Sequence, residues 1–213
     1  MAHTERALSM PKLYYAPGAC SLAAHIVLEE SGKKYDLQRV DLAKGEQRTE
    51  AYLKIHPQGR VPALQLDSGE AITENTAILP YLGKQYGLWP TDPTAEARAL
   101  SLIGFFAASV HPAHAHISRP ERYATDKAMF PNIQDAGRKT FHGYLQQIDQ
   151  RLAGREWLLD SYSVVDPYAL TFYTWGVRRE LPMAELKNYT AFKDRMTQRP
   201  AVQRVLEDEK IKV

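Results

Sequence analysis

The stretch Lys12-Leu-Tyr-Tyr-Ala-Pro-Gly-Ala-Cys-Ser21 has the pattern of a short strand followed by a turn at Pro17-Gly18, and it contains the only cysteine of the chain. Residues 20–31 have a helical pattern that stops at Ser31-Gly32, so we expect Cys20 at or beside a helix N-terminus. Free N–H groups and the helix dipole favour a thiolate there, which predicts a pKa below ~8.5 and a sulfur at the surface. The alternative is a buried, inert cysteine that packs as a small hydrophobe.

The composition is that of an ordinary soluble protein. The 213 residues are 44% hydrophobic and 24% charged, enough to bury a substantial core. The net charge is +2 and the basic residues are scattered, so we expect no nucleic-acid partner. No apolar stretch approaches the ~20 residues of a membrane-spanning helix, and the N-terminus lacks the apolar middle of a secretory signal. We therefore expect a cytoplasmic protein without a membrane partner, and interpret residues 1–10 as a disordered leader.

Hydrophobic periodicity predicts the element order βαβαββα for residues 11–87. The predicted strands cover 13–16, 35–40, 63–66 and 71–72, and the predicted helices cover 20–31, 46–54 and 74–86. Residues 88–93 contain two prolines and break this periodicity, which is typical of a linker.

Residues 94–213 are expected to form an all-helical domain. Its predicted helices cover 94–117, 125–153, 164–179, 183–199 and 201–208. Ser163-Val-Val-Asp166 is interpreted as a capping box, in which the serine covers an N–H three residues on and the aspartate reaches back. The helix that it opens is expected to be buried.

Two further motifs could serve a peptide-like ligand beside Cys20. Most X-Pro bonds are trans, but the place of Val61-Pro62 directly before a hairpin favours a cis bond that exposes the backbone of Val61. A peptide could pair with it as an added strand. Thr73-Glu74-Asn75, at the next helix start, offers N–H groups and polar side chains to a carboxylate or an amino group, although alone it is only a cap. The three motifs together predict a thiol-peptide site.

From Met10 to the C-terminus, the chain resembles the cytosolic glutathione S-transferases, and most of all the bacterial beta class. The matching segments are 12–22, 25–28, 61–64, 73–74 with 77–78, 109–111 and 163–166. The resemblance implies an α/β plus all-α architecture, with a thioredoxin-like N-terminal domain and an all-helical C-terminal bundle. It also implies a homodimer that binds glutathione between the two domains.

The resemblance assigns roles in glutathione binding to several residues. Cys20 would contact the glutathione sulfur and could form a mixed disulfide with it. Val61 would pair with the cysteinyl backbone, and Glu74 with Asn75 would hold the γ-glutamyl end. Lys44 lies near the family's lysine for the glycyl carboxylate, although a solvated surface lysine is the alternative.

Further resemblances concern the helical domain. His111 would donate a hydrogen bond to the thiolate or tune Cys20, and Ser109 could approach a ligand from the partner subunit. Gly104 stands where the family usually has a glutathione-contacting asparagine, which predicts weaker affinity for glutathione. The residues after His111, together with Trp175, would supply an apolar wall for the second substrate, although plain core packing is the alternative for Trp175.

No metal site is expected. His111, His114 and His116 are spaced so that their rings do not share one helical face. The single cysteine also excludes an intramolecular disulfide and a Cys-x-x-Cys motif.

Three hypotheses about function follow. The first is a glutathione transferase that joins the glutathione thiolate to small hydrophobic electrophiles, with Cys20 and His111 as catalytic residues. The second is a glutathione-dependent thiol-disulfide reductase or peroxidase that passes through a Cys20 mixed disulfide. The third is a non-enzymatic member of the fold that binds a ligand or a protein.

Overall fold

The computed structural model describes residues 10–213. The predicted leader, apart from Met10, lies outside the described residues. Met10 is exposed, and its backbone N–H donates a hydrogen bond to Oδ1 of Asp67 at 3.3 Å.

The first domain is built on a four-stranded mixed sheet, and the predicted order βαβαββα is confirmed. Its strands are β1 (Lys12–Tyr15), β2 (Asp36–Arg39), β3 (Ala63–Gln65) and β4 (Ala71–Thr73), and its helices are α1 (Leu22–Glu30), α2 (Glu50–Leu53) and α3 (Asn75–Tyr86). The strand order is β2-β1-β3-β4, with β1 parallel to β2 and antiparallel to β3. This is the predicted thioredoxin-like arrangement.

The single helix predicted over 46–54 is divided in two. A 3-10 turn covers Glu46–Arg48, and Thr49 then adopts an extended conformation before α2. The hydroxyl oxygen of Thr49 accepts a hydrogen bond from the N–H of Tyr52, so it caps α2 and fixes the break.

The second domain is helical, as predicted. Its helices are α4 (Pro93–Phe105), α5 (His111–Ser118), α6 (Phe130–Arg151), α7 (Val165–Arg178), α8 (Lys187–Thr197) and α9 (Pro200–Asp208). The π-helical segment Phe106–Val110 joins α4 to α5, so the helix predicted over 94–117 is continuous but has a wider turn at its centre. Such turns are frequent at functional sites, and His111 follows this one directly. Among residues 10–213, no helix is both long enough and apolar enough to cross a membrane.

Helix α7 is buried from Val165 to Gly176, as predicted, but its cap differs from the prediction. The Asp166 carboxylate accepts hydrogen bonds from the N–H groups of Ser163 (2.8 Å) and Leu158 (3.0 Å). The predicted serine half of the box is wrong, because the N–H of Asp166 donates to the backbone carbonyl of Ser163 instead. Burial raises the pKa of Asp166 to about 7, although these hydrogen bonds act in the opposite direction.

The two domains are joined by a buried polar contact at the turn before Cys20. Glu209, just after α9, accepts a hydrogen bond from the N–H of Gly18 at 2.7 Å, and its other oxygen lies 2.8 Å from Nδ1 of His25 in α1. The Gly18 carbonyl accepts a hydrogen bond from Nε1 of Trp175 at 2.9 Å. Both backbone groups of Gly18 are thus bonded to the helical domain.

Replacing Glu209 with alanine is expected to lower the free energy of unfolding by about 2–4 kcal/mol, because it leaves buried donors of Gly18 and His25 unpaired. Chemical denaturation measures the difference. The matched control is Glu207→Ala, at an exposed position of α9, with an expected change of about 0.5 kcal/mol or less. Equal effects of the two substitutions would contradict this account of domain docking.

Candidate active site

A cleft between the two domains brings together most of the predicted site residues. A cavity of about 330 Å³ is lined by Cys20 and Val61 from the first domain and by His111 from the second. An adjoining cavity of about 380 Å³ shares these three residues and extends to Glu74 and Asn75. Cys20 and His111 therefore lie where the two cavities meet.

Cys20 lies just before α1, as predicted, but its predicted low pKa is wrong. The half-buried thiol donates a hydrogen bond to the Val61 carbonyl at 3.1 Å. Burial raises the pKa of Cys20 to about 12, and the negative charge of Glu74 adds to this effect. The positive charges of Arg119 and Arg60 act in the opposite direction. Loss of hydration therefore outweighs the effect of the helix start, and the thiol is protonated near pH 7.

The turn that carries Val61 has the predicted geometry. The Val61–Pro62 peptide bond is cis, and the side chain of Val61 is buried beside Cys20. The backbone carbonyl of Val61, which was predicted to be exposed, accepts the hydrogen bond from the Cys20 thiol.

Glu74 and Asn75 mark the start of α3 but have different surroundings. Glu74 is exposed and has a φ of 70°, which is unfavourable for a residue other than glycine and occurs often at functional sites. Asn75 is buried, and its amide donates a hydrogen bond to the Cys20 carbonyl at 2.9 Å. Asn75 thus also positions the loop that carries Cys20.

Lys44 lies outside both cavities. Its side chain is 76% exposed, and Nζ lies 3.7 Å from Oδ2 of Asp41. After Gly45, which has a φ of 77°, the 3-10 turn brings Gln47 and Arg48 to the cleft instead. The structure therefore favours the surface-lysine alternative for Lys44. Arg48 could have been considered from the sequence, since it is the next basic residue in the same loop.

His111 is a neutral group near pH 7. Burial, and to a lesser extent the positive charges of Arg119, Arg60 and Arg122, lower the pKa of His111 to about 4. Its ring packs edge-on against Trp175, with the ring centroids 4.9 Å apart. No hydrogen bond joins His111 to Cys20 within residues 10–213, so neither group tunes the other through direct contact.

The other two histidines of this segment have separate partners. His114 stacks on Trp175, and its Nε2 accepts a hydrogen bond from Nε of Arg179 at 3.3 Å. Burial lowers the pKa of His114 to about 3, with Arg179 adding to the effect. Nδ1 of His116 lies 2.7 Å from the Pro112 carbonyl. The part of the chain that the structure describes contains no cluster of three or more His, Cys, Asp or Glu residues that could hold a metal ion.

Trp175 combines the two interpretations made from the sequence. It is only 3% exposed and donates its hydrogen bond to the Gly18 carbonyl, as a core residue would. It also lines the 330 Å³ cavity.

Sequence reasoning missed a group of arginines in this cavity. Arg48 and Arg60 come from the first domain, whereas Arg119, Arg122, Arg178 and Arg179 come from the helical domain. No aspartate or glutamate of the described chain lines this cavity. On the helical side of this cavity, only Ala115 and Trp175 agree with the predicted apolar wall, whereas Ala107, Pro112 and Tyr168 of the helical domain line the adjoining cavity. The arginines escaped notice because they are scattered along the sequence.

Ser109 and Gly104 are not brought into either cavity. Ser109 belongs to the π-helical segment, and Gly104 lies near the end of α4. A side chain at Gly104 would enter open space in the described chain, with no heavy atom within 4 Å of its Cβ.

Comparisons with known proteins agree with this arrangement. The model of the glutathione S-transferase N-terminal domain family matches residues 18–85. The glutathione S-transferase GstA of Escherichia coli O157:H7 is 33% identical, over 94% of this chain and 100% of that protein.

Two solved structures extend the similarity to both domains. A glutathione transferase homologue from Sulfitobacter with bound glutathione is 33% identical, with a TM-score of 0.89 over 96% of this chain and all of that one. The beta-class glutathione S-transferase of Sphingomonas chungbukensis is 34% identical, with a TM-score of 0.82 over 93% of this chain and 98% of that one. The chain belongs to the glutathione S-transferase family.

Proposed function

We propose that this protein transfers the glutathione thiolate to an electrophilic carbon of a small molecule. The observation that carries the proposal is the cleft itself, where Cys20, Val61 and Glu74 of the first domain meet His111 of the second. A substrate peptide and an acceptor can meet there beside groups from both domains.

We expect glutathione to extend along both cavities of this cleft. The carboxylate of Glu74 would hold the γ-glutamyl amino group, with Asn75 beside it, and the Val61 backbone would pair with the cysteinyl residue. The glycyl carboxylate would bind Arg48, since an arginine can form two parallel hydrogen bonds with a carboxylate. This assignment replaces Lys44, whose side chain extends into solvent.

The residues around Cys20 suit a substrate whose sulfur brings the negative charge. A protonated Cys20 can donate its hydrogen bond to the glutathione sulfur, and a neutral His111 can donate one as well. The positive charges of Arg119 and Arg60 would stabilise a thiolate nearby. In the reaction, the new carbon–sulfur bond forms, the leaving group departs with its electron pair, and the thiol proton passes to solvent.

The other two hypotheses have less support. A reductase that passes through a Cys20 mixed disulfide needs Cys20 as a thiolate, and a pKa of about 12 leaves little of that form near pH 7. A protein that only binds a ligand would not need two adjoining cavities for a peptide and an acceptor. This hypothesis therefore has the least support.

The proposal also includes finer assignments. We place the protein in the beta class, as a cytoplasmic homodimer with a detoxifying role. The helices α3 and α4 are the candidate interface, and the 48% exposure of Leu100 on α4 supports it. In such a dimer, Ser109 could approach the partner's ligand.

Cys20 is expected to react slowly with iodoacetamide near pH 7, because burial keeps its thiol protonated. The rate should rise about tenfold per pH unit from about pH 7 to 10 without a plateau. Since Cys20 is the only cysteine, intact mass reports its modification alone. Free glutathione is the control. If the rate of Cys20 alkylation reached a plateau below about pH 8, the proposed role of Cys20 as a protonated hydrogen-bond donor would be contradicted.

The function is tested by conjugation of glutathione to 1-chloro-2,4-dinitrobenzene. We expect turnover, and we expect Arg48→Gln to raise the KM for glutathione about tenfold while kcat changes less than about twofold. The matched control Lys44→Gln should leave the KM within about twofold. A larger rise in the KM for Lys44→Gln than for Arg48→Gln would overturn the role of Arg48. Absence of both turnover and glutathione binding would overturn the proposed function.

A further inference from the structure

The helical side of the 330 Å³ cavity has four arginines without an ion-pair partner in the described chain. Arg119, Arg122, Arg178 and Arg179 line it, and none of them has a carboxylate oxygen within 4 Å in residues 10–213. By contrast, Arg199 and Arg204 of the same domain each have a glutamate partner.

These guanidinium groups repel one another. Burial lowers the pKa of Arg122, and the positive charges of Arg119 and Arg60 lower it further. Burial likewise lowers the pKa of Arg179, with Arg178 as the largest charge contribution. Unpaired like charges at close range destabilise a folded protein, and a bound anion would relieve this repulsion.

Two of the arginines form hydrogen bonds with other residues of the site. Nη1 of Arg178 donates a hydrogen bond to the Gly18 carbonyl at 3.4 Å, and Nε of Arg179 donates to His114 at 3.3 Å. Each guanidinium has five N–H donors, so most of them are left for a ligand. They lie in the same cavity as Trp175 and Ala115, so a ligand there meets both positive charge and apolar side chains.

The glycyl carboxylate of glutathione has another partner in the proposed complex. Its glycyl end would bind Arg48 on the first domain, and its γ-glutamyl end lies towards Glu74 in the adjoining cavity. Of the four arginines, only Arg122 also lines that adjoining cavity, so Arg119, Arg178 and Arg179 are used by neither end of glutathione.

We infer that these arginines bind a carboxylate of the second substrate, so that the preferred acceptor is a small anionic electrophile. The inference rests on the proposed function and names the substrate class of the same site. It replaces the purely hydrophobic acceptor expected from the sequence.

A pair of acceptors of nearly equal shape tests the inference. In 4-chloro-3,5-dinitrobenzoate, the glutathione thiolate attacks C4, the carbon–sulfur bond forms, and chloride leaves with the electron pair of the carbon–chlorine bond. The neutral partner, 4-chloro-3,5-dinitrobenzamide, undergoes the same substitution. Each kcat/KM is divided by the rate constant of the uncatalysed reaction, so the ratio of the two reports only the preference of the enzyme.

At low salt, we expect the normalised ratio to favour the benzoate about tenfold or more. Raising NaCl to about 0.5 M should reduce this preference, because the charges at the cleft mouth are screened. Arg178→Gln and Arg179→Gln should each lower the ratio about three- to tenfold. The control Lys187→Gln removes the same charge from an exposed position at the start of α8, and it should leave the ratio unchanged.

A ratio near one in the unaltered protein, or a ratio that neither arginine variant changes, would overturn the inference while the transferase function stands. Binding of S-methylglutathione, measured by calorimetry, separates the two proposals. If neither acceptor is conjugated and S-methylglutathione does not bind, the proposed function fails, and this inference fails with it.

Discussion

The hydrogen bonding of Gly18 to the helical domain is the constraint on which the site depends. Glu209 and Trp175, which are far apart in sequence, bind the N–H and the carbonyl of this one residue. Gly18 has a φ of 66°, a backbone conformation that favours glycine, and a β-carbon there would require the Arg178 guanidinium to move. The turn that presents Cys20 therefore takes its shape from both domains, and the site requires their docking.

Loss of hydration sets the chemistry of the cleft. It keeps Cys20 protonated and His111 neutral, so that both groups are hydrogen-bond donors rather than charges. The arginines around them retain their positive charge. A cleft with neutral donors at its centre and positive charge around them is suited to a ligand that brings its own negative charge, and glutathione has two carboxylates and an ionisable thiol.

Much of the fold was predictable because local sequence patterns determine its helices, strands and turns. The alternation of strand and helix signals up to Tyr86, the prolines after Gly87 and the apolar run of α7 all act within a few residues. The positions of Cys20 and Val61 followed from the same local order. Their contact at 3.1 Å is a consequence of the sheet topology.

The properties that were mispredicted depend on distant parts of the chain. The pKa of Cys20 follows from burial by surrounding elements and from the charge of Glu74, 54 positions later in the sequence numbering. Arg48 rather than Lys44 lines the cleft because of the 3-10 turn after Gly45. The group of arginines exists only because α5 and α7 end at the same cavity. Apart from the turn at Gly45, no local signal in the sequence contains this information.

The pKa of enzyme-bound glutathione tests most directly whether the cleft stabilises a thiolate. Thiolate absorbance is followed against pH in the complex, with the S-methylglutathione complex as the blank. Cys20 contributes little signal below about pH 9, because its own thiol ionises far above that range. We expect the bound thiol to ionise at least about one unit below the ~8.5 of a free cysteine thiol. An unchanged pKa for bound glutathione would contradict the account.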